Sequence, residues 1–402
     1  MITLIISILL CSNLIVDCSY VSTIKVGDQL NLTSQLVSSP DRRFTLGFFT
    51  IPETDNTYLG IWYTHDTSST KVWVANRATP VISSSSVLVI DPDTGKLIIA
   101  TGGAAIVNIS DNQSGPTPNM TATLQDTGDF QLKSGTDDRI LWKSFDYPTN
   151  VLLPGMKLGW DNRTGRNWEL TSWVSDKFPD LGAFTMSFEA NGTNSHRLMI
   201  RRRGQPYWSK LVKELGSVSR YRNLSYGYNN EERYFSYAES CEGNGCTSLW
   251  LLNANGQVEE GQADRRYLWR SEFCYGFNSG DGCAADSDMR LCWSRDDKFT
   301  LLTGEFNTGG RLFRHDDNSS LSFSDCMVGC LNSCDCLAFN SHENGVGCDI
   351  WTGKSKFVID PHVTSAPKYV LVSTSKGKIL ITDSVICRLI VMHLKHFITR
   401  VV

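Results

Sequence analysis

At 402 residues the chain is too long for one ordinary hydrophobic core, and we expect three domains. Its 38 basic and 42 acidic side chains give a net charge of -4, which excludes the basic surface typical of nucleic-acid binding or of attachment to an acidic membrane. The one basic run, Arg201 to Arg203, is interpreted as solvated charge at a sheet edge or loop.

The amino-terminal segment is apolar and ends in small residues, with Val16 and Cys18 placed before a cleavage site at Ser19. This pattern predicts a secretory signal peptide over residues 1–18. No Lys or Arg precedes the apolar part, and an uncleaved anchor would look similar. Polar residues such as Asp17, however, leave the stretch shorter than the ~20 apolar residues that a membrane span needs.

Asn-X-Ser/Thr sequons occur along most of the chain that follows. Each tripeptide alone is weak evidence, but together with a signal peptide they predict a glycosylated surface that faces the secretory lumen. The predicted acceptors are Asn31, Asn108, Asn112, Asn119, Asn162, Asn191, Asn223 and Asn318.

The first half of the mature chain predicts an all-β domain built from hairpin-like units. Stretches that begin at Asp41, Asp93 and Asp126 each combine a polar turn with an alternating apolar run. A threefold repeat of this kind predicts a pseudo-symmetric closed β architecture, because one unit alone cannot bury its apolar face. Strand-like segments around the repeats carry tryptophans that we interpret as central packing, namely Trp62, Trp73 and Trp142.

The cysteines beyond the signal peptide all lie from Cys241 onward. A zinc site favours Cys-X(2–4)-Cys knuckles, for which Cys334-Asp-Cys336 is too tight, and a thioredoxin-like centre needs Cys-X-X-Cys, which is absent. In an oxidising compartment the cysteines therefore predict disulfides. Cys387, in an unusual tail, is the predicted unpaired thiol.

A small α+β unit is predicted around the densest group of cysteines. Ser322 or Ser324 can cap a helix, and Asp325 favours the positive end of its dipole. Cys326 and Cys330 lie four residues apart and share one helical face. That face can reach the predicted strands "CLAFNS" and "GCDIWTG", which contain Cys336 and Cys348.

Several longer segments resemble a known family. The segments "LGFFTIPETDNTYLGIWYT", "KVWVANRATPV" and "LWKSFDYPTNVLLPGMKLGWDNRTGRNWELTSWVS" are similar to signature segments of the plant S-domain receptors, or G-type lectin receptor-like kinases, and of the S-locus glycoproteins. "EFCYGFNSGDGCAADSDMRLC" resembles the later ectodomain, and "SDCMVGCLNSCDCLAFNSHENGVGCDIWTGKSKF" its PAN/apple-like module. The resemblance runs from about Val21 to about Thr374.

The resemblance implies a mainly β fold with three domains. These are a bulb-type lectin β-prism at residues 19–155, a β-rich S-locus glycoprotein domain with a cysteine-containing linker at 156–295, and a small, disulfide-linked α+β PAN/apple module at 296–375, followed by a divergent tail at 376–402. It also implies the bridges Cys326–Cys348 and Cys330–Cys336. It leaves open the pairing of Cys241, Cys246, Cys274, Cys283, Cys292 and Cys334.

The family's sugar motif is poorly kept. Bulb-type lectins hold mannose with Gln-X-Asp-X-Asn-X-Val-X-Tyr, and the closest stretch here has only Gln125 in place. Thr127 stands in the Asp position, Asp129 in the Asn position, Gln131 in the Val position and Lys133 in the Tyr position. Sugar hydroxyls left unpaired cost about 1–3 kcal/mol each, so we interpret this stretch as a vestigial carbohydrate site and predict weak or absent mannose binding.

No catalytic motif supports an enzyme. The glycine-rich loop, His-Arg-Asp and Asp-Phe-Gly of kinases do not occur, and neither does His-Glu-X-X-His or Gly-X-Ser-X-Gly. Glycosidase activity is kept only as a remote alternative. We expect no cofactor and no metal, and interpret Asp91 and Asp93 as a tight turn rather than a calcium loop. Charges such as Asp383 and Arg388 interrupt the apolar tail, which therefore predicts neither a membrane span nor an amphipathic helix.

The resemblance implies an extracellular recognition protein, similar to a receptor-like kinase ectodomain without the kinase. It would be secreted or associated with the plasma membrane, and would bind a peptide, a glycan or a receptor partner in self/non-self recognition, such as recognition of pollen, or in defence. Pairing with related receptor ectodomains is a further expectation, and the ligand and the oligomeric state stay open. The alternative is a working mannose-type lectin.

Overall fold

The computed structural model describes residues 21–372 apart from Ser69, Ser83 and the segments 112–114, 191–194, 219–223, 239–245, 264–266, 276–280, 285–292, 294–296, 307–310, 343–344 and 360–365. The predicted signal peptide, the predicted tail and Cys387 lie outside the described residues. The sequons at Asn112, Asn191 and Asn223 do so as well. No helix in the described part of the chain is long and apolar enough to cross a bilayer.

Strands β1 to β12 form a first module of three four-stranded antiparallel sheets. In chain order they are β1 (Thr23–Lys25), β2 (Leu30–Asn31), β3 (Gln35–Val37), β4 (Phe44–Thr50), β5 (Thr57–Tyr63), β6 (Lys71–Val74), β7 (Ser86–Ile90), β8 (Leu97–Thr101), β9 (Ala104–Asn108), β10 (Thr121–Leu124), β11 (Phe130–Lys133) and β12 (Ile140–Lys143). A short 3-10 helix, Ser144–Asp146, follows.

The connectivity of the first module has a simple plan. The sheets are ordered β1-β10-β11-β12, β2-β7-β8-β9 and β3-β4-β5-β6, so the first three strands each enter a different sheet and three meanders complete the sheets in reverse order. This confirms the predicted threefold β architecture. The repeats from Asp93 and Asp126 form β8 and β11, which are equivalent, whereas the Asp41 repeat forms β4, one position earlier in its sheet. A polar turn before an alternating run marks any hairpin strand, so the repeat pattern does not fix that position.

The interior of the first module confirms two of the three predicted core tryptophans. Trp73 and Trp142 are 5% and 4% exposed, and their rings meet edge to face at 6.0 Å. Trp62 was wrongly placed in the core. Its neighbour Ile61 is fully buried, and strand alternation turns Trp62 to the outer face, where the Nζ of Lys71 lies 4.3 Å from its ring centroid.

Strands β13 to β24 form a second module, which again consists of three four-stranded sheets. Its strands are β13 (Val151–Leu152), β14 (Leu158–Asp161), β15 (Arg166–Trp168), β16 (Leu170–Trp173), β17 (Leu181–Ala190), β18 (His196–Arg202), β19 (Gln205–Leu211), β20 (Leu224–Tyr228), β21 (Glu232–Tyr237), β22 (Ser248–Leu252), β23 (Val258–Gln262) and β24 (Tyr267–Arg270). One helix, α1 (Val212–Val218), follows β19.

The second module follows a plan related to that of the first, but one of its sheets combines two hairpins, β14–β15 and β20–β21. Its sheets are ordered β13-β22-β23-β24, β15-β14-β21-β20 and β16-β17-β18-β19, so the early strands again enter the sheets in turn and later strands complete them in reverse order. Because β13 pairs with β22, the second set of sheets begins before the predicted boundary at residue 155. Buried residues of both modules form one continuous core. Tyr63 of the first module donates its hydroxyl to the carbonyl of Ser248 in the second, at 2.8 Å.

The third module is a helix packed on a sheet. The sheet has the order β25-β31-β28-β29-β27, and β26 pairs with β30. The elements are β25 (Lys298–Leu302), β26 (Gly304–Phe306), β27 (Arg311–Asp316), α2 (Phe323–Leu331), β28 (Cys336–Ser341), β29 (Cys348–Thr352), β30 (Phe357–Ile359) and β31 (Lys368–Val372). This confirms the predicted α+β organisation and the two strands predicted in "CLAFNS" and "GCDIWTG", which are β28 and β29.

Disulfides fasten α2 to the strands beneath it. The structure joins Cys326 to Cys348 and Cys330 to Cys336, the same pairs that the family resemblance implies. All four cysteines are at most 2% exposed, and they contribute to the core of the module. The second module contains a further bridge, Cys274–Cys283, and Cys246 and Cys334 are also disulfide-bonded.

Two arginines of the basic run, Arg201 and Arg202, lie in β18 and are not solvated edge charges as predicted, whereas Arg203 lies in the turn that follows and is half-exposed. β18 lies inside its sheet, and Arg201 bonds the carboxylate of Glu189. Arg202 and Arg203 reach the third module, where both bond Asp325, at 2.5 Å and 2.7 Å. Asp325 also accepts the backbone N–H of Ser322 at 2.9 Å, which caps α2. One carboxylate therefore connects the second module to the start of this helix.

We expect Asp325→Asn to lower the free energy of unfolding by about 1–3 kcal/mol at neutral pH. Burial opposes ionisation of Asp325, but hydrogen bonds from Arg203 and Ser322 and the charge of Arg202 outweigh burial and lower its pKa below the ordinary 3.8. A lowered folded-state pKa gives stability that is present above pH ~4 and is lost as the pH falls through the folded-state pKa.

Denaturant unfolding of the wild type and of Asp325→Asn at pH 7 and at pH 3 measures this effect. The difference between the two proteins should shrink at pH 3. Asp55→Asn, at an exposed turn residue, is the matched control. An equal difference at both pH values would show that the charge of Asp325 does not hold the two modules together.

The described sequons all lie at the surface. Asn31, Asn108, Asn119, Asn162 and Asn318 are exposed, and each lies within or beside a turn, a loop or a strand end. A glycan at any of these positions would extend into solvent without displacing core residues. Their glycosylation stays a prediction.

Candidate functional site

The stretch that corresponds to the sugar motif runs from the β10–β11 turn into β11. Gln125 is half-buried and Thr127 is exposed, while Gln131 and Lys133 lie half-buried on the outer face of the sheet. Thr123 and Thr121 are their register partners on β10. Gln131 and Lys133 thus lie on one face of the sheet, whereas the side chain of Asp129 is buried and does not lie on that face.

Asp129 is directed into the protein and is 4% exposed. Its Oδ1 accepts the hydroxyl of Ser144 at 3.1 Å and the backbone N–H of Phe145 at 3.0 Å, and its Oδ2 accepts the amide of Gln131 at 2.8 Å. Burial raises the pKa of Asp129, and the three hydrogen bonds only partly oppose this shift. The carboxylate therefore holds the 3-10 helix against β11 instead of facing solvent.

These contacts leave the motif stretch poorly equipped for a sugar. An ionised carboxylate donates no hydrogen bond, whereas the asparagine of the family pattern supplies both a donor and an acceptor. The side-chain amide of Gln131 already donates a hydrogen bond to Asp129. A second stretch with the spacing of the motif, Pro92 to Ala100, is no better, because it places the apolar residues Ile98 and Ala100, only 6% and 4% exposed, at two of the five motif positions.

The turn that begins at Asp91 needs no ion. The carboxylate of Asp91 accepts the backbone N–H of Asp93 at 3.0 Å and the hydroxyl of Thr94 at 2.7 Å. These are the hydrogen bonds of an Asx turn, and they lower the pKa of Asp91. The tight-turn interpretation explains both aspartates.

A different candidate site lies where the first two modules meet. It is a cleft of about 160 Å³ whose walls come from the start of β6, from β16 and from the end of β22. Ser68 and Thr70 on its rim both donate to the carbonyl of Ala263, at 2.9 Å and 3.0 Å, so contacts between the modules hold it open. The lining residues are Ser68, Thr70, Lys71, Asn150, Trp173, Ser175, Asp176, Leu251, Leu252, Asn253 and Ala254.

Lys71 is the charged group with the most unusual surroundings in this cleft. Its Nζ lies 4.3 Å from the ring centroid of Trp62 and 4.9 Å from that of Phe49. Burial lowers the pKa of Lys71 to about 8, although the charge of Asp66 opposes the shift. An ammonium that has lost part of its hydration binds a carboxylate or carbonyl more strongly than an exposed one does.

Trp173 lines the same cleft. Its indole N–H is buried and has no hydrogen-bond partner among the described residues. The cleft thus combines an aromatic wall, a partly desolvated cation and polar rim groups, the usual components of a small binding site. No local sequence pattern indicates this cleft, because its walls come from segments far apart in the chain.

Two family models match parts of the chain. Residues 70–174 match the D-mannose binding lectin model, and residues 292–355 match the PAN-like domain model. The first match includes β6 to β12 and continues into the second module, and the second includes α2 with its two bridges. Neither matched domain is a catalytic one.

Similar proteins cover most of this chain. A G-type lectin S-receptor-like serine/threonine-protein kinase of Arabidopsis thaliana is 31% identical over 383 residues, which cover 83% of this chain and 44% of the relative. A second Arabidopsis kinase of the same description is 32% identical, with 83% and 41% covered. An S-locus-specific glycoprotein of Brassica oleracea is 26% identical, with 83% and 87% covered. The chain thus spans less than half the length of the two receptor kinases.

Among solved structures, a monomeric monocot mannose-binding lectin from Gastrodia elata is similar at 17% identity. It covers 31% of this chain and 96% of its own, with a TM-score of 0.24. The two-domain lectin of Scilla campanulata covers 66% and 89% at 14% identity, with a TM-score of 0.22.

The relatives and the matched domains support a receptor-like recognition role. Over 83% of its length the chain is therefore homologous to the plant G-type lectin S-receptor-like kinases and to an S-locus-specific glycoprotein, and it contains a D-mannose binding lectin domain and a PAN-like domain.

Proposed function

We propose that this protein is an extracellular recognition protein that binds a peptide or a receptor partner, and that the family's mannose motif does not supply its affinity. The observation that carries this proposal is the use of Asp129 inside the fold. Its carboxylate accepts hydrogen bonds from the buried Ser144 hydroxyl, from the backbone N–H of Phe145 and from the amide of the half-buried Gln131. A sugar that bound there would have to break buried hydrogen bonds worth about 1–3 kcal/mol each.

The inter-module cleft is the proposed contact site. Lys71 offers a cation at the edge of an aromatic surface, which suits an acidic side chain, a peptide carbonyl or a chain terminus. The cleft holds only a few atoms at its volume of about 160 Å³, so it fits one anchoring side chain of a larger partner. Exposed sequons and the predicted signal peptide support a secreted or cell-surface location.

Two kinds of partner follow from the homology. One is a secreted peptide ligand, and the other is the ectodomain of a related S-domain receptor, which this chain would bind in self/non-self recognition or defence. The alternative function, a working mannose-type lectin, is favoured by the match of residues 70–174 to the D-mannose binding lectin model. The same experiment separates these functions.

The experiment uses the secreted, glycosylated chain. On a glycan array and in titration with mannose we expect no binding at micromolar concentration. Micromolar mannose affinity that Gln125→Ala abolishes would overturn the proposal in favour of the lectin. In parallel, tagged S-domain ectodomains should co-precipitate with the chain, and Lys71→Glu should weaken this binding at least roughly tenfold, or about 1.4 kcal/mol. Lys133→Glu, on the motif strand, is the matched control and should change nothing.

A further inference from the structure

Four titratable side chains of the third module meet at one end of its sheet. His315 lies in β27 and pairs in register with Asp349 in β29, while His342 follows the end of β28 and Asp317 follows the end of β27. Because β27 and β28 flank β29, side chains on one face of the three strands converge. The His315 and His342 rings stack, with their centroids 4.9 Å apart and their planes at 28°.

The two carboxylates lie on opposite edges of the stacked rings. Asp349 Oδ1 is 2.7 Å from His315 Nδ1 and 3.4 Å from His342 Nε2. On the other edge, Asp317 Oδ1 is 3.3 Å from His315 Nε2 and 3.5 Å from His342 Nδ1. Each imidazole therefore has one nitrogen towards Asp349 and the other towards Asp317.

One nitrogen of this group lacks a satisfactory partner. Nε2 of His342 is buried and makes no hydrogen bond within the described residues, despite its 3.4 Å approach to Asp349. A buried polar atom without a hydrogen-bond partner carries an energetic cost. A ligand placed between His342 Nε2, His315 Nδ1 and Asp349 would remove that cost.

We propose that His315 Nδ1, His342 Nε2 and a carboxylate oxygen of Asp349 bind one divalent transition-metal ion, with Zn²⁺ as the best-matched example. Each of these residues offers one ligand atom, and the three atoms lie within 4.8 Å of one another. In a tetrahedral zinc site with bonds of about 2.0–2.1 Å, ligand atoms are about 3.3 Å apart. The distances from Asp349 Oδ1, 2.7 Å and 3.4 Å, lie on either side of that spacing, and the two nitrogens lie within 4.8 Å of each other, so the stacked rings have to rotate towards a shared ion.

The donor set decides the class of metal. Two imidazoles and one carboxylate suit zinc, copper or nickel, whereas calcium and magnesium prefer oxygen ligands throughout. Asp317 is placed to accept the second ring N–H of either histidine, as carboxylates do behind metal-bound imidazoles, and so would fix their orientation. The fourth position of the ion is left for water or an external ligand. The ion would also tie the outer strand β27 to the β28–β29 hairpin.

Protons compete for the same nitrogens. The hydrogen bond to Asp349, followed by the charge of Asp317, raises the pKa of His315 above its ordinary 6.5. The ring of His342 stacks against that of His315, while Arg314 and Asp316, the neighbours of His315 on β27, pair with each other at 2.5 Å. Bound zinc requires neutral imidazole, so zinc binding should weaken as the pH is lowered.

The test is calorimetric titration of the intact chain, freed of metal by chelator, with ZnCl₂ at pH 7.5. We expect one site per chain, and His315→Gln, His342→Gln and Asp349→Asn should each weaken binding at least roughly tenfold, with Asp317→Asn also weaker. His315 is 53% exposed, so its replacement should leave the fold intact, which circular dichroism checks. His65→Gln, at an exposed residue of the first module, is the matched control.

Co²⁺ provides a readout that does not depend on affinity. The wild type should develop the visible absorption of tetrahedral cobalt, and His315→Gln should abolish it. Absence of stoichiometric binding, or equal binding by the wild type and both histidine variants, would overturn the proposal and assign any residual affinity to other histidines of the chain.

Discussion

Replacing Arg77 by methionine should lower the free energy of unfolding by about 3–5 kcal/mol. Arg77 follows β6 and is 6% exposed, yet its guanidinium reaches into the second module. There it donates to the carbonyls of Pro179 at 2.6 Å, Thr171 at 2.9 Å, Ser172 at 2.5 Å and Asp180 at 3.3 Å. Methionine fills much of the volume but removes the guanidinium donor from these carbonyls, of which that of Asp180 still accepts the backbone N–H of Val174 at 2.9 Å.

The charge state of Arg77 does not weaken this expectation. Burial lowers its pKa to about 10, and the charge of Asp180 opposes the shift, so the guanidinium is protonated at neutral pH. Arg77→Lys should recover little, because a single ammonium cannot direct donors to four carbonyls at once. The directions of the guanidinium N–H donors therefore matter as much as the positive charge.

Denaturant unfolding followed by tryptophan fluorescence measures the stability of the Arg77 variants. The midpoint and slope of the first transition are compared, because a chain of several modules need not unfold in two states. Arg163→Gln is the control, since its side chain is 72% exposed and it should change stability by no more than about 0.5 kcal/mol. A similarly small effect of Arg77→Met would show that the carbonyls find other donors.

Local pattern was sufficient to predict the threefold β architecture of the first module, whereas only the family resemblance implied that it is a lectin fold. Turn residues before alternating runs gave β8 and β11 in equivalent positions, and the position of β4 needed only one correction. Hairpins are local, so the information that forms them lies within a few residues. The predicted strands around Trp73 and Trp142 follow the same rule.

What the sequence could not supply was the direction in which particular side chains point. Trp62 and Trp73 are both large and apolar, and only the register of β5 and β6 separates the outer residue from the inner one. The arginines around the end of β18 look like solvent-exposed charge until the third module places Asp325 beside them. Such contacts join residues more than a hundred positions apart, and no local sequence pattern indicates them.

The candidate site divides in the same way. The loss of the sugar motif at Thr127, Asp129 and Lys133 can be read from residue types alone, although the inward direction of Asp129 required the structure. The cleft around Lys71 could not be predicted, because it exists only where β6 meets β16 and β22. The His315–His342 pair was also missed, since 27 positions and one helix separate the two residues in the chain.

Removing the Cys326–Cys348 bridge with a double alanine substitution should destabilise the third module by about 3 kcal/mol. The bridge closes a segment with a sequence separation of 22, and it joins α2 to β29 within the module's core. Without it, the unfolded segment regains loop entropy that the folded state does not share. The same change at Cys330–Cys336, with a separation of 6, should cost less, about 2 kcal/mol.

Amide hydrogen exchange measures this effect where it occurs, in peptides that cover α2 and β29. Because both cysteine pairs bury similar sulfur in the same core, the difference between the two double variants isolates loop length from lost packing. The first module contains no cysteine, so its β4, β5 and β11 amides should exchange at the same rate in both variants. Faster exchange there would mean that the third module stabilises the whole chain and that its bridges act beyond their own core. Unchanged protection of α2 would show that helix packing alone, without the crosslink, holds the module together.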